Sequence, residues 1–259
     1  MPSQYTNCYT PTKAVVQINV ELDVIMSVFS TGPVSIGDGN GLTNVSRVMR
    51  TCMQDGRLLA PTRPMMPVDR TLWAAPGVQV DKANPTVYTA STTLVAGASW
   101  HFMLVVDVPS GFVLNLTSDL YPAPAAGTLF AARAWTGSGC TDGQLAHDCG
   151  IAKVHMDSNL TLRSPGTAGD DGKHSWAMYM LAPVTSGWAF LGELDKYVAV
   201  SAARVRSPPA AQPHQLTVEL LGPAGLNQTF YALAPQGQVR AKTATFAADG
   251  TATVTFTDH

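Results

Sequence analysis

Asp38 is the first residue of this chain whose type and setting suggest chemistry. It follows the run GPVSIG (residues 32–37) and opens into Gly39-Asn40-Gly41. A run so short and so bounded by glycine reads as a strand that ends in a loop. A polar side chain at the C-terminal tip of a strand that feeds a helix is where α/β barrels hold their ligand groups. There the Asp38 carboxylate, with Asn40 and Thr43 on the same rim, suits hydrogen bonding to a polar ligand. The ordinary alternatives are a turn aspartate beside Gly39 and capping by Asn40 or Thr43.

The other reactive side chains are scattered. His101, His147, His155 and His174 stand singly, without the i, i+4 pairing of a helical metal site, and read as satisfied or exposed histidines. Asp142, His147 and Asp148 share the loop between Cys140 and Cys149; a calcium site is the alternative reading there, though the loop offers few oxygen ligands. No metal and no cofactor is expected. Ser138 in TGSGC lacks the frame of a nucleophile elbow. Trp100, Trp135, Trp176 and Trp188 offer flat faces for sugar stacking, but they lie at strand starts or in apolar runs, where core packing is the usual role. Glu193, Asp195 and Lys196 read as a solvated turn between two strands.

The elements that must position these residues fall into two groups. Val15, Val16, Leu22, Ile25, Met26 and Phe29 recur at three- and four-residue steps, which predicts a helix from Lys13 to about Ser30. The strand GPVSIG follows. A second helix, Asn44–Met53, starts at a cap on Thr43 or Asn44 and stops at Gly56. One parallel strand cannot make a sheet, and parallel sheets need neighbours and cover on both faces. Residues 1–66 therefore read as the end of an α/β barrel whose earlier strands lie elsewhere; a small helical cap is the alternative.

From residue 67 to 259 the pattern is strand after strand. TVYTASTTL, SWHFMLVVDV, FVLNLTS, TLFAARAWT, HSWAMYML, WAFLGEL, YVAVSAARV, HQLTVELLG, QTFYALAP and TATVTF are β-branched or aromatic and bounded by Gly, Pro, Asp or Ser. The expected fold class is mainly β: an antiparallel β-sandwich preceded by a short helix-strand-helix remnant. The stretch SPPAAQP (207–213) marks a sub-layer from about residue 214.

Composition narrows the partners. The 259 residues are 46% hydrophobic and 13% charged, with a net charge of −2, so no electrostatic footprint for nucleic acid or an anionic membrane is present. No run reaches the roughly 20 apolar residues that span a bilayer. Four of eight asparagines, Asn44, Asn115, Asn159 and Asn227, stand in Asn-x-Ser/Thr sequons; roughly one is expected by chance in a chain this rich in Ser and Thr. Cys140 and Cys149 bracket a small polar loop that suits a disulfide, with free thiols as the alternative, the more so for Cys8 and Cys52. These signs suggest the secretory pathway. Yet MPSQYTNCYTPTK has no apolar core and no cleavage site of a signal peptide, so the expectation is that the parent protein begins upstream of Met1.

The segment from GPVSIGD onward resembles the end of the catalytic barrel in the α-galactosidase and raffinose-synthase group of clan D glycoside hydrolases. There the last barrel strand ends in a Gly/Ser-Asp tip, followed by a helix, a D-G-hydrophobic-L turn and a Pro-x-x-Pro-x-Asp run into a β-sandwich. The matching pieces are Gly37-Asp38, Asn44–Met53, Asp55-Gly56-Arg57-Leu58-Leu59 and Pro64–Trp73 with Asp69. Further on, LAPVTSGWAFLGELDKYVAVS is similar to sheet residues of such an enzyme's C-terminal β domain. The resemblance implies the C-terminal portion of a carbohydrate-active enzyme, with carbohydrate and the missing N-terminal barrel as partners. It also implies a lack. Enzymes of that group act through two carboxylates on earlier barrel strands, and nothing before Lys13 can supply them. The alternative is a non-catalytic module that binds glycan or serves as scaffold.

Overall fold

The computed structural model describes residues 4–6, 14–16, 20–35, 37–38, 41–69, 71, 86–94, 98–108, 112–157, 159–162, 167–168 and 175–258. The fold is mainly β and every pairing between its named strands is antiparallel. β1 (Gln4–Thr6) and β2 (Ala14–Val16) pair with each other, followed by helices α1 (Val20–Phe29) and α2 (Val45–Met49). β3 (Arg63–Pro67), β4 (Thr86–Thr93) and β5 (Ser99–Val106) then lie side by side. β6 (Phe112–Asn115) leads into the single turn α3 (Leu116–Asp119). β7 (Leu129–Ala134) pairs with β8 (Ile151–His155), and β9 (Asn159–Leu162) returns to pair with β6. β10 (Thr167–Ala168) borders the start of β11 (Ser175–Thr185), which pairs with β5 along one edge and β7 along the other. A two-residue turn, Ser186 at φ 50° and Gly187 at φ 85°, passes the chain to β12 (Trp188–Gly192). Both residues need positive φ, as a type I′ hairpin requires. β13 (Ala210–Gln212) and β14 (Gln215–Leu221) form a sheet with β17 (Thr251–Thr257), while β15 (Asn227–Leu233) joins β12 to β16 (Val239–Thr245).

These sheets make a sandwich around one large core. Trp100, Phe102 and Leu104 of β5 point into it, with Trp188 and Phe190 of β12, Phe230 of β15 and Phe256 of β17. The Trp100 indole N–H donates to the Phe190 carbonyl across the layers at 2.8 Å. The other face of the β5 sheet is also dry. Met103, Val105 and Leu181 pack there under Leu114, Leu116 and Leu162 of β6, α3 and β9. Two buried faces explain why WHFMLVV is continuously apolar instead of alternating.

The N-terminal third differs from its expected form. Ala14–Val16 is a strand, so α1 starts only at Val20. The described residues of GPVSIG have no regular structure and pair with no sheet, so the parallel strand expected there is absent. α2 stops at Met49, because Cys52 and Leu58 bridge as a tight hairpin around Gly56, whose φ is 85°. β3 runs across the expected boundary at 66/67 and pairs with β4. Ile25, Val28 and Phe29 of α1 lie in the large core, the Phe29 ring 5.8 Å from that of Phe102.

Polar bridges fasten α1 and α2 to the sandwich. Glu21 accepts from Arg47 Nε at 2.7 Å, from Arg50 Nη1 at 2.9 Å and from the Tyr197 hydroxyl. Burial alone raises the Glu21 pKa, but the Tyr197 hydrogen bond and the Arg47 and Arg50 charges outweigh it and hold the carboxyl below its ordinary value. Lys196 donates Nζ to the Met49 and Cys52 carbonyls, Tyr197 N–H donates to the Arg50 carbonyl at 3.2 Å, and Ser201 Oγ donates to that of Ala60 at 2.9 Å. The Trp135 ring lies between Tyr197, 5.0 Å away, and the Arg50 guanidinium at 5.4 Å.

The segment that makes these contacts, YVAVSAARV, is not the expected strand. Residues 193–205 follow turns and bends, yet nearly all are buried. Gly192 permits this: its φ is 72°, and a Cβ there would meet the Ala199 carbonyl oxygen at 2.0 Å. Nor is Glu193 in a solvated turn. It is fully buried and bonds Arg204 at 2.7 and 3.4 Å, while Arg204 donates to the Leu221 carbonyl and lies over the Phe246 ring. Removing one charge strands the other. Glu193→Ala should cost about 3–5 kcal/mol in denaturant unfolding, and Glu193→Leu with Arg204→Met should recover most of that loss.

Candidate functional site

One row of the β5 sheet carries polar side chains where its neighbours are apolar. On the face that holds Met103 and Val105, the next residues outward along β5 are His101 and Ser99, and their partners on β4 are Ser91 and Thr93. The cover supplied by β6, β9 and α3 does not extend over this row. Instead a cleft of about 810 Å³ lies between it and the loop after α3, which contributes Pro122, Pro124 and Thr128. β11 adds Pro183 and Thr185 at the turn into β12.

His101 sits at the inner end of this cleft and is 1% exposed. Its ring meets the Phe130 ring edge-on, centroids 5.8 Å apart. Neither ring nitrogen has a hydrogen-bond partner, and the Ser91 hydroxyl, fully buried directly opposite in register, has none either. Such groups cost about 1–3 kcal/mol each when buried unmet. Burial lowers the His101 pKa to about 4. Near pH 7 the imidazole is neutral and offers one N–H and one lone pair.

The rest of the wall sets the chemistry. Thr93 and Ser99 hydroxyls pair at 2.9 Å, and Thr128 Oγ1 donates to the Ala125 carbonyl at 2.6 Å, which leaves acceptor lone pairs on these oxygens. Lys153 is the single charged residue of the lining and no carboxylate is in it, among the described residues. Ser91 is not on the cleft wall, so no nucleophile, base and orienting acid are arrayed there. The arrangement can hold a small group that both donates and accepts a hydrogen bond.

The residues singled out in the sequence lie elsewhere. Asp38 is half-buried in irregular chain between α1 and α2, and Asn40 lies outside the described residues. Asn44 caps α2, accepting from Arg47 N–H at 3.1 Å and Ser46 Oγ at 2.7 Å. Asn115 caps α3 through Thr117 and Ser118 N–H, and exposed Asn159 is its partner across the β6–β9 pair. Exposed Asn227 accepts from Thr245 Oγ1 at 2.6 Å. Cys140 and Cys149 are bonded to each other, Cα atoms 5.9 Å apart, and Cys52 is a buried free thiol. Their loop docks on β16: Asp142 accepts from Ala241 N–H at 2.7 Å, and Gly143 N–H donates to the Val239 carbonyl. Trp100, Trp176 and Trp188 are core residues. His101, by contrast, is neither satisfied nor exposed. Its sequence signal is a polar ring set inside WHFMLVV.

No known family model matches the chain, and no curated relative matches it.

The lowered His101 pKa makes the fold acid-sensitive. The unfolded state, with the ordinary pKa of 6.5, takes up the proton before the folded state does. Stability should be full above pH 6.5 and fall as pH drops toward about 4, by about 3 kcal/mol in all. Urea unfolding from pH 8 to 4 measures this, and His101→Phe should flatten that part of the curve. The Cys140–Cys149 bridge closes a short loop, so Cys140→Ala with Cys149→Ala should cost about 2–3 kcal/mol in the same assay.

Proposed function

We propose that this chain is the C-terminal portion of a carbohydrate-active enzyme, in which the β-sandwich supports the end of a catalytic barrel and does not itself cleave glycosidic bonds. The observation that carries the reading is how half-buried Glu21 and buried Glu193 are used. Glu21 is held by Arg47, Arg50 and Tyr197, and Glu193 by Arg204. Each is neutralised in a bridge that fastens the helical segment or the 193–205 loop to the sandwich. A glycosidase needs two carboxyl groups facing one another across a substrate, one of them free to protonate the leaving oxygen. These two are spent on architecture instead. The resemblance of residues 32–73 to the end of a clan D barrel supplies the carbohydrate context. The sandwich then serves as the platform on which the closing helices of that barrel are clamped.

Two measurements test this. The purified chain should turn over neither aryl α- nor aryl β-glycosides above a heat-killed control. Mapping the transcript's 5′ end and expressing its product should yield a longer chain that hydrolyses or transfers aryl α-galactosides. Turnover by this chain that a single substitution within it abolishes would overturn the proposal, and so would a transcript that encodes no upstream barrel.

A further inference from the structure

The platform reading leaves the His101 cleft unused. That cleft joins two features that rarely occur together. It is open enough for a small molecule, since about 810 Å³ falls within the roughly 300–1,000 Å³ of ligand sites. At its inner end it also keeps an imidazole that is 1% exposed and lacks a partner at either nitrogen. Proteins seldom leave such a group unmet without a ligand or water to meet it.

We propose that the cleft is a binding site for a neutral saccharide, with one sugar hydroxyl seated against His101. The chemistry of the imidazole selects the group. The two ring nitrogens point apart, so a single hydroxyl meets one of them, and it can meet either the N–H or the lone pair because it both donates and accepts. A carboxylate can meet only the N–H. An ammonium can meet only the lone pair, and it encounters Lys153 at the wall. Thr128 and Thr185 also line the cleft and carry hydroxyls that can meet further hydroxyls of a ligand. Pro122, Pro124 and Pro183 supply rigid apolar faces for the C–H surfaces of the ring. With no carboxylate in the lining, the site binds and does not hydrolyse. The choice of a saccharide over another hydroxylated molecule rests on the carbohydrate-enzyme reading above; the polarity of the ligand rests on His101 alone.

The test is titration of the full chain at pH 7, followed by amide chemical shifts and calorimetry. The probes are melibiose, maltose and cellobiose as neutral sugars, galacturonate and glucosamine as charged ones, and sorbitol as an open-chain polyol. At least one neutral sugar should bind saturably with a millimolar Kd and shift amides of residues 99–101, 122–128 and 183–187. His101→Phe, which keeps an aromatic ring against Phe130, should weaken binding by about tenfold or more, and Thr185→Val at the rim by about threefold. Melting curves establish that each variant is folded, and Thr185→Val carries the test should His101→Phe unfold. No saturable binding of any neutral sugar up to about 50 mM overturns the proposal. So does binding that both folded variants leave unchanged, or binding confined to the charged probes or to sorbitol. These outcomes are separate from the platform reading, which stands or falls on hydrolysis by the longer product.

Discussion

The sheet built on β5 is buried on both faces, and most of the molecule follows from that. A strand with water on one side can alternate polar and apolar residues; β5 cannot. Its even-numbered side chains, Trp100, Phe102 and Leu104, need the second layer of the sandwich, and its odd-numbered ones, Met103 and Val105, need a separate cover. The chain provides that cover with β6, β9 and α3, all short, and they stop before reaching the end of the strand. His101 and Ser99 lie past their edge. The cleft is thus where the second cover stops short, and its position is set by strand register.

Register also fixes what the cleft contains. Because side chains alternate along a strand, a shift of one residue in β5 would place Trp100 and Phe102 under α3 and leave His101 in the large core. The eight-residue match with β4 and the six-residue match with β11 exclude that slip. The edge-on contact with Phe130 fixes the imidazole further, since β7 is itself held to β11 through Phe130↔Pro183. His101 is therefore locked in place by strands on both sides, and a locked polar group is a better recognition element than a mobile one, because less freedom is lost on binding.

Much of this was readable in the residues, and the failures have physical causes. The antiparallel sandwich was legible from β-branched runs with turn chemistry between them, as in TVYTASTTL and HQLTVELLG. YVAVSAARV deceived because β-propensity records a preference for apolar surroundings as much as for pairing. Most of its residues are buried, but their backbone bonds go to local turns, to Arg50 and, at the end, to one bridge with β14, so burial came without a continuous ladder. GPVSIG deceived for a related reason, since a short apolar run has no neighbour in the sequence to show whether it pairs. Glu193 and Lys196 looked solvated because charge is ordinarily exposed; their partners, Arg204 and the carbonyls of Met49 and Cys52, are set by tertiary structure alone. His101 was invisible as a site for the same reason, since a lone histidine shows its missing partners only once its neighbours are known.

The contrast between these buried polar groups is itself informative. The charged groups that clamp the helical segment and the 193–205 loop are well answered: Glu21 has three donors, Arg204 reaches a carboxylate and a carbonyl, and Lys196 reaches two carbonyls. An unanswered charge in the interior would unfold the chain, so selection for stability alone accounts for every one of those bridges. A neutral imidazole left unmet is tolerable, because its penalty is a fraction of a buried charge's. Stability alone, however, would favour a Leu or Phe at residue 101, as it has at Phe102, Met103 and Leu104. The one polar ring kept along that run lies at the one point where the cover opens. Other buried polar atoms also go unmet, among them the Ser91 and Thr92 hydroxyls, Trp188 Nε1 and Arg240 Nε, but among the described residues His101 is the one of these that lines the cleft, where a matching group can enter from outside the chain.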